Sequence, residues 1–342
     1  MDSRISMPYA SEQVFYPPAP GYTDFHVHVG ERIGGNELAE DFGDLAKLCQ
    51  SRGLYAIGVF VTENQDNRLD DKLSQMRERA AREYPHPIFW HLTPVTSSIP
   101  EVAKVLSHDT DIKLYTTYRQ AGLYSSYEQI ERYFVELPQS RFLIHCEDDE
   151  VIEQHSQGSF AEPIKHCLRR PEEAEIIAVE RVLDLAVKRN VALHIVHVSS
   201  PHSLMLINQA KWHNPKISCE TAPHYLIYNE ERLLQPNAHR YICSPPYRSE
   251  GSRGLLVELL QDGMIDIIAS DHCHFHDEIK DKYKDDLYQV PCGIGGVDSI
   301  YTMMYGHFVQ SGKISEEALN RMLVDRPLQL MGLENLRGKN EL

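Results

Sequence analysis

Thr23-Asp24-Phe25-His26-Val27-His28-Val29 is an apolar, β-branched run that carries two histidines two residues apart. Side chains on a β-strand alternate between faces, so as a strand this run turns His26 and His28 the same way. Two imidazoles so placed can grip one divalent ion. A His-x-His pair also arises by chance on strands whose histidines merely face water. What the rest of the chain places beside the pair therefore decides its meaning.

Outward from this first strand, 23–29, the chain alternates. Helical spacing follows from about Glu37 to Arg52, where Leu38, Phe42, Leu45, Leu48 and Cys49 share a face before Gly53. Further apolar strands are expected at 55–61, 88–95, 112–117, 142–146, 191–198, 216–221 and 265–270. Helical patterns separate them at 68–83, 100–106, 126–137, 171–188, 201–212 and 252–262, and two more close the chain near 297–310 and 315–331. Two polar excursions, 147–170 and 222–248, interrupt the alternation. Strand and helix alternating eight times predict an α/β fold of parallel units that close into a (β/α)8 TIM barrel. An open doubly wound sheet would want a glycine-rich turn straight after a strand, and Gly293-Ile294-Gly295-Gly296 follows none. The domain plan is a proline-rich arm over 1–22, a barrel over 23–333 and a tail over 334–342.

Composition limits the partners. Of 342 residues, 42% are apolar, enough for a large core, and 34 Lys and Arg face 50 Asp and Glu for a net charge of -16. Nucleic acid and anionic membranes both demand a basic face, so neither is expected as a partner. No apolar run reaches the ~18 residues of a membrane span, and the first twenty residues hold no secretory core. The seven cysteines form no C-x-x-C pair and read as reduced thiols, which places the chain in the cytoplasm.

In a parallel barrel, chemistry gathers where strands end and loops begin, on one face. Those ends carry His26 and His28, Lys113, His145, His197 and Asp271. Lys113 stands inside the apolar run Ile112-Lys113-Leu114-Tyr115, where an unpaired ammonium is costly. It either snorkels at the strand end, or has reacted with carbon dioxide to become an anionic carbamate that bridges two metals. Four imidazoles, a carbamate and a carboxylate suit two divalent ions, zinc above all.

Taken together, Asp24-Phe25-His26-Val27-His28, Ile112-Lys113-Leu114-Tyr115-Thr116-Thr117-Tyr118, His145-Cys146-Glu147-Asp148, His197-Val198-Ser199-Ser200, Glu220-Thr221-Ala222-Pro223-His224, Ser244-Pro245-Pro246-Tyr247-Arg248, Ser270-Asp271-His272-Cys273 and Pro291-Cys292-Gly293 resemble the amidohydrolase superfamily. The likeness is to its cyclic amidohydrolases: dihydroorotase, dihydropyrimidinase (hydantoinase) and allantoinase. It implies that His26, His28 and Asp271 hold one zinc or other divalent ion, that His145 and His197 hold the second, and that carboxylated Lys113 bridges them. It further implies hydrolysis of a small cyclic amide or ureide, or the reverse closure. A hydroxide between the ions would attack the ring carbonyl, Tyr118 would steady the oxyanion and Asp271 would shuttle the proton.

The substrate motifs divide between subfamilies. Tyr118 and Ser244 match the dihydropyrimidinases, but their asparagine in Pro-Asn-Gly is here Cys292. Dihydroorotases hold the substrate carboxylate with an arginine where this chain has Gly30, with Arg32 two residues further on. His224 is a further candidate substrate contact, and His155 and His202 fall on nearby loops. Arg248 is expected to pair on the surface. The small β-sandwich usual in the family is expected to be largely missing, and self-association into a homo-oligomer stays open. Rival readings are a dihydroorotase proper, a deaminase or linear amidase, and a metal-free relative acting as an interaction protein.

Overall fold

The computed structural model describes residues 15, 17, 21–64, 67–158 and 161–337. Eight strands follow in chain order: β1 (Tyr22–Val27), β2 (Leu54–Thr62), β3 (Ile88–Thr93), β4 (Thr110–Tyr115), β5 (Arg141–His145), β6 (Ala192–Ile195), β7 (Ile217–Thr221) and β8 (Ile267–Ile268). Each pairs with the next in one sheet, always in parallel, as where Lys113 lies opposite Leu143 and Tyr115 opposite His145. The circle closes just past the short last strand. Val27 bridges His272 in parallel, His28 N donates to the His272 carbonyl at 2.7 Å, and the Ser270 amide donates to Asp24 at 3.0 Å. The fold is an α/β (β/α)8 TIM barrel.

Helices cover the outside because their apolar stripes match the outward faces of the strands. The helix Glu172–Arg189 buries Ala178, Val179, Val182, Leu183 and Ala186, and stops at Asn190 in the left-handed conformation with φ 52°. Its neighbour Pro201–Lys211 starts at Ser200, whose side chain accepts from the Ser203 amide. The long excursions carry short helices of their own, Asp149–His155, Lys165–Arg169 and Pro223–Ile227.

The first helix begins at Phe42 rather than near Glu37. Asp41 and Asp44 cap it reciprocally, at 3.0 and 3.3 Å, which fixes its start. Ahead of it Arg32–Ile33 and Asn36–Glu37 pair as an antiparallel hairpin, turned by Gly34 and Gly35 at φ 57° and 80°. The terminal helical stretches also differ from regular helices. Ile300–Met304 runs into a π turn at Tyr305–Val309, and a second π turn at Arg321–Asp325 joins Glu316–Asn320 to Arg326–Met331.

Those last elements stopper the amino-terminal mouth of the barrel. Val324, Leu328 and Met331 pack with Phe25, Phe60, Phe89, Leu143, Val196, Ile267 and Ala269 in one buried cluster. Arg141 ties the plug down, donating to the Leu330 carbonyl at 2.6 Å while pairing with Asp111 at 3.0 Å. Asp111 in turn holds His91 at 2.6 Å, and His91 Nε2 reaches the Phe25 carbonyl at 2.9 Å. The close approach needs Gly58, where a Cβ would stand 2.3 Å from the Phe25 oxygen and 2.4 Å from His91.

Candidate metal centre

The six residues marked by the strand pattern meet at the opposite, carboxyl-terminal end. His26 lies in β1, and His28 is the first residue beyond it. Their rings stand 5.5 Å apart, each 4.4 Å from the ring of Phe60. His145 ends β5 with its ring 4.5 Å from that of His197, which in turn is 5.4 Å from His26. Asp271 brings Oδ1 to 3.1 Å from His26 Nε2. Ligand atoms of His26, His28 and Asp271 all lie within 4.8 Å of one another. Lys113, 1% exposed, holds Nζ 5.0 Å from the ring centres of both Phe60 and Tyr115.

The backbone is bent to bring them there. Among the described residues five non-glycines have positive φ, and three are Tyr118 (66°), His197 (38°) and Asp271 (53°). Such conformations persist only where the surroundings impose them, and they gather at functional sites.

Electrostatics prepare the donors. Burial pushes the His26 and His197 imidazoles well below their usual range, lowers His28, and brings His145 down to about 4. All four are therefore neutral at pH 7, the form that ligates metal. Burial also lowers Lys113 to about 8, against the pull of Glu220 and Asp271, and no ion pair holds it among the described residues. Asp271 is pushed well up by burial, with Lys113 opposing. His197 Nδ1 is buried with no hydrogen-bond partner. Neutral imidazoles, an orphaned ring nitrogen, an easily deprotonated amine and a carboxylate together fit divalent ions of zinc type.

Three carboxylates stand behind the imidazoles, and the sequence pattern did not single them out for this. Glu220 accepts from His26 Nδ1, from His194 Nε2 at 3.1 Å and from the His197 amide at 3.3 Å. Burial would raise its carboxyl, yet His26 and His194 hold it well below the usual range. Glu147 accepts from His145 Nε2 at 2.7 Å, and Glu31 from His28 Nδ1 at 3.3 Å. Each fixes a tautomer and turns the other ring nitrogen toward the shared hollow. A legible signal existed for Glu220: like Lys113, it is a charge inside a buried strand.

The candidate substrate residues divide. The Tyr118 ring lies 5.1 Å from His145, and burial keeps its hydroxyl protonated by pushing it well up. The Ser244 hydroxyl and His224 Nε2 are buried without partners. Cys292 is half-buried while the other six cysteines are buried. Arg32 stays outside the group: it lies on the hairpin, 67% exposed, and pairs with Glu37 at 3.1 Å. His155 and His202 are exposed and likewise apart. Arg248 corrects the expectation of a surface pair. It is buried, bonded to Glu175 at 3.1 Å and to Ser199 Oγ at 2.9 Å, because an internal carboxylate repays its desolvation.

No family model matches the chain. It is 26% identical to the D-hydantoinase of Ralstonia pickettii, covering 93% of this chain and 72% of that protein. It is also 26% identical to the dihydroorotase of Lactobacillus helveticus, covering 92% and 74%. The crystal structure of a dihydropyrimidinase from Brevibacillus agri shares the fold with a TM-score of 0.85 at 24% identity, over 92% of this chain and 71% of that one. Over more than nine-tenths of its length the chain is thus similar to cyclic amidohydrolases, a D-hydantoinase and a dihydroorotase, and it shares its barrel fold with a dihydropyrimidinase.

Proposed function

We propose that the protein cleaves, or in reverse closes, the C–N bond of a cyclic amide or ureide with two divalent ions at this end of the barrel. The observation that carries the reading is the convergence of His26, His28 and Asp271 within 4.8 Å, in a chain related to a D-hydantoinase and a dihydroorotase. His26, His28 and Asp271 would hold one ion, His145 and His197 the other, and carboxylated Lys113 both, with zinc the favoured metal. Bound ions would supply a hydroxide nucleophile near neutral pH and polarise the amide carbonyl.

The chain's own groups do the rest. Deprotonated Lys113 Nζ forms an N–C bond to carbon dioxide and gives up a proton to solvent. Asp271 takes the nucleophile's proton and delivers it to the leaving ring nitrogen. Tyr118 donates its hydroxyl proton in a hydrogen bond to the developing oxyanion. Ser244, His224 and Cys292 would contact the ring's polar edges. Because Arg32 faces solvent, a ring without a carboxylate is the favoured substrate over dihydroorotate.

Metal analysis together with kcat/KM for dihydrouracil, hydantoin, allantoin and dihydroorotate tests the proposal. Two ions per chain and turnover of an uncharged ring are expected. Preference for dihydroorotate, abolished by Arg32→Ala, would replace this reading with a dihydroorotase proper. A chain that takes up no metal on reconstitution would be the interaction protein instead.

A further inference from the structure

We infer that Arg170 is a positioning residue that locks the oxyanion arm Tyr118 and the metal-facing imidazole of His145 into one rigid unit through Glu147; the inference rests on the hydrolytic reading above. Arg170 is 4% exposed and Glu147 fully buried. Arg170 Nε lies 3.0 and 3.1 Å from the two Glu147 oxygens, and Nη2 is 2.5 Å from Oε2. That same Oε2 accepts from His145 Nε2 at 2.7 Å. With its edge committed to the carboxylate, the guanidinium also sets its Cζ over the Tyr118 ring, 4.9 Å from the ring centre.

Only a planar cation can do both at once. A bidentate edge and a stacking face belong to arginine, whereas lysine offers a single point charge. Arg170 is itself well anchored. Its amide donates to the His166 carbonyl at 3.1 Å, and its own carbonyl accepts from Arg248 at 2.7 Å. Pro171 follows and opens the helix Glu172–Arg189. Glu147 is fixed from the other side, where Thr116 Oγ1 accepts from its amide and donates to its carbonyl, both at 2.9 Å. Tyr118, at φ 66°, occupies a conformation that a bulky residue keeps only under outside restraint. The Ala121 and Leu123 amides hold that turn by donating to the Tyr118 carbonyl at 3.1 and 3.2 Å, and the guanidinium bears on the ring it presents.

Arg170→Lys and Arg170→Met separate the two halves. Lysine keeps a cation on Glu147, so both ions should bind with near wild-type affinity. Loss of the flat face should lower kcat by about 10- to 100-fold with KM little changed, as a displaced catalytic group does. Hydrogen exchange should quicken over residues 116–124 and not across the barrel. Methionine strips Glu147 of its cation, and affinity for one of the two ions should fall about 10- to 100-fold. In a Tyr118→Phe background, Arg170→Lys should cost no further kcat. Full metal affinity in Arg170→Met, unchanged exchange in Arg170→Lys, or kcat losses that multiply would each overturn the inference. A wild type that turns over no ring substrate would sink the hydrolytic reading alone, leaving metal affinity and exchange to judge Arg170.

Discussion

Glu220→Gln removes one charge behind the metal hollow and nearly nothing else. The carboxylate, 1% exposed, serves three donors: His26 Nδ1, His194 Nε2 and the His197 amide. His194 has a second anchor in Ser218 at 2.8 Å, whereas His26 depends on Glu220 for its Nδ1 partner. A glutamine presents one acceptor oxygen, and its NH2 must face a donor. At least one buried N–H then loses its partner, at about 1–3 kcal/mol. Because His26 is a proposed ligand, metal affinity should drop 10- to 100-fold, or about 1.4–2.7 kcal/mol. Competition against a chromogenic chelator measures that shift, and circular dichroism confirms that the barrel persists. Saturating metal should restore most of kcat, since the ligands themselves remain. A glutamine variant that binds both ions with unchanged affinity would refute the idea that Glu220 aims His26.

Lys113→Ala should lose the two-ion centre, with partial recovery of metal and turnover when short carboxylic acids are added; retention of both ions without additive would remove the carbamate from the scheme. Asp271→Asn should keep much of the metal yet lose kcat by about 10²- to 10⁴-fold, the usual share of general acid–base action; steady-state kinetics on metal-loaded protein decides it. Glu63 gives a pH prediction. Burial would raise its carboxyl, but Ser97 and the amides of Val95, Thr96 and Ser97 hold it down to about 2, from an ordinary 4.5. Its contribution to stability is therefore complete above pH 4.5 and disappears as pH falls toward 2. Denaturant titrations across that window should show Glu63→Gln flattening the acid limb.

The barrel was legible because its strands are continuous apolar runs buried on both faces, so their number and order could be counted directly. What stayed hidden lacked a period. The hairpin at Arg32–Glu37 is built from two-residue strands, too short to alternate, and Leu38 extended the helical spacing into it. The last strand is only Ile267–Ile268, and three residues beyond it Asp271 takes the left-handed conformation at φ 53°. At the site, residue types with metal chemistry stood out at strand ends. Of the carboxylates behind them, Glu220 carried the signal of a charge inside a buried strand, whereas Glu147, two residues past a histidine, reads as surface until its burial is known. Arg248 shows the converse: its partner Glu175 lies 73 positions away, beyond any local pattern.

The seam of the barrel has a thermodynamic consequence. Asp24 and Ser270, 246 positions apart, are joined where the first strand meets the last. His26, His28 and Asp271 straddle that same junction. An ion held by the three would cross-link the ends of the sheet and close a loop whose entropy in the open chain is worth about 5 kcal/mol. Metal would then act as a clasp as well as a reagent. Stripping it should loosen β1 from β8 before any other pair, and a folding chain could not assemble the three-residue group until its last strand had arrived.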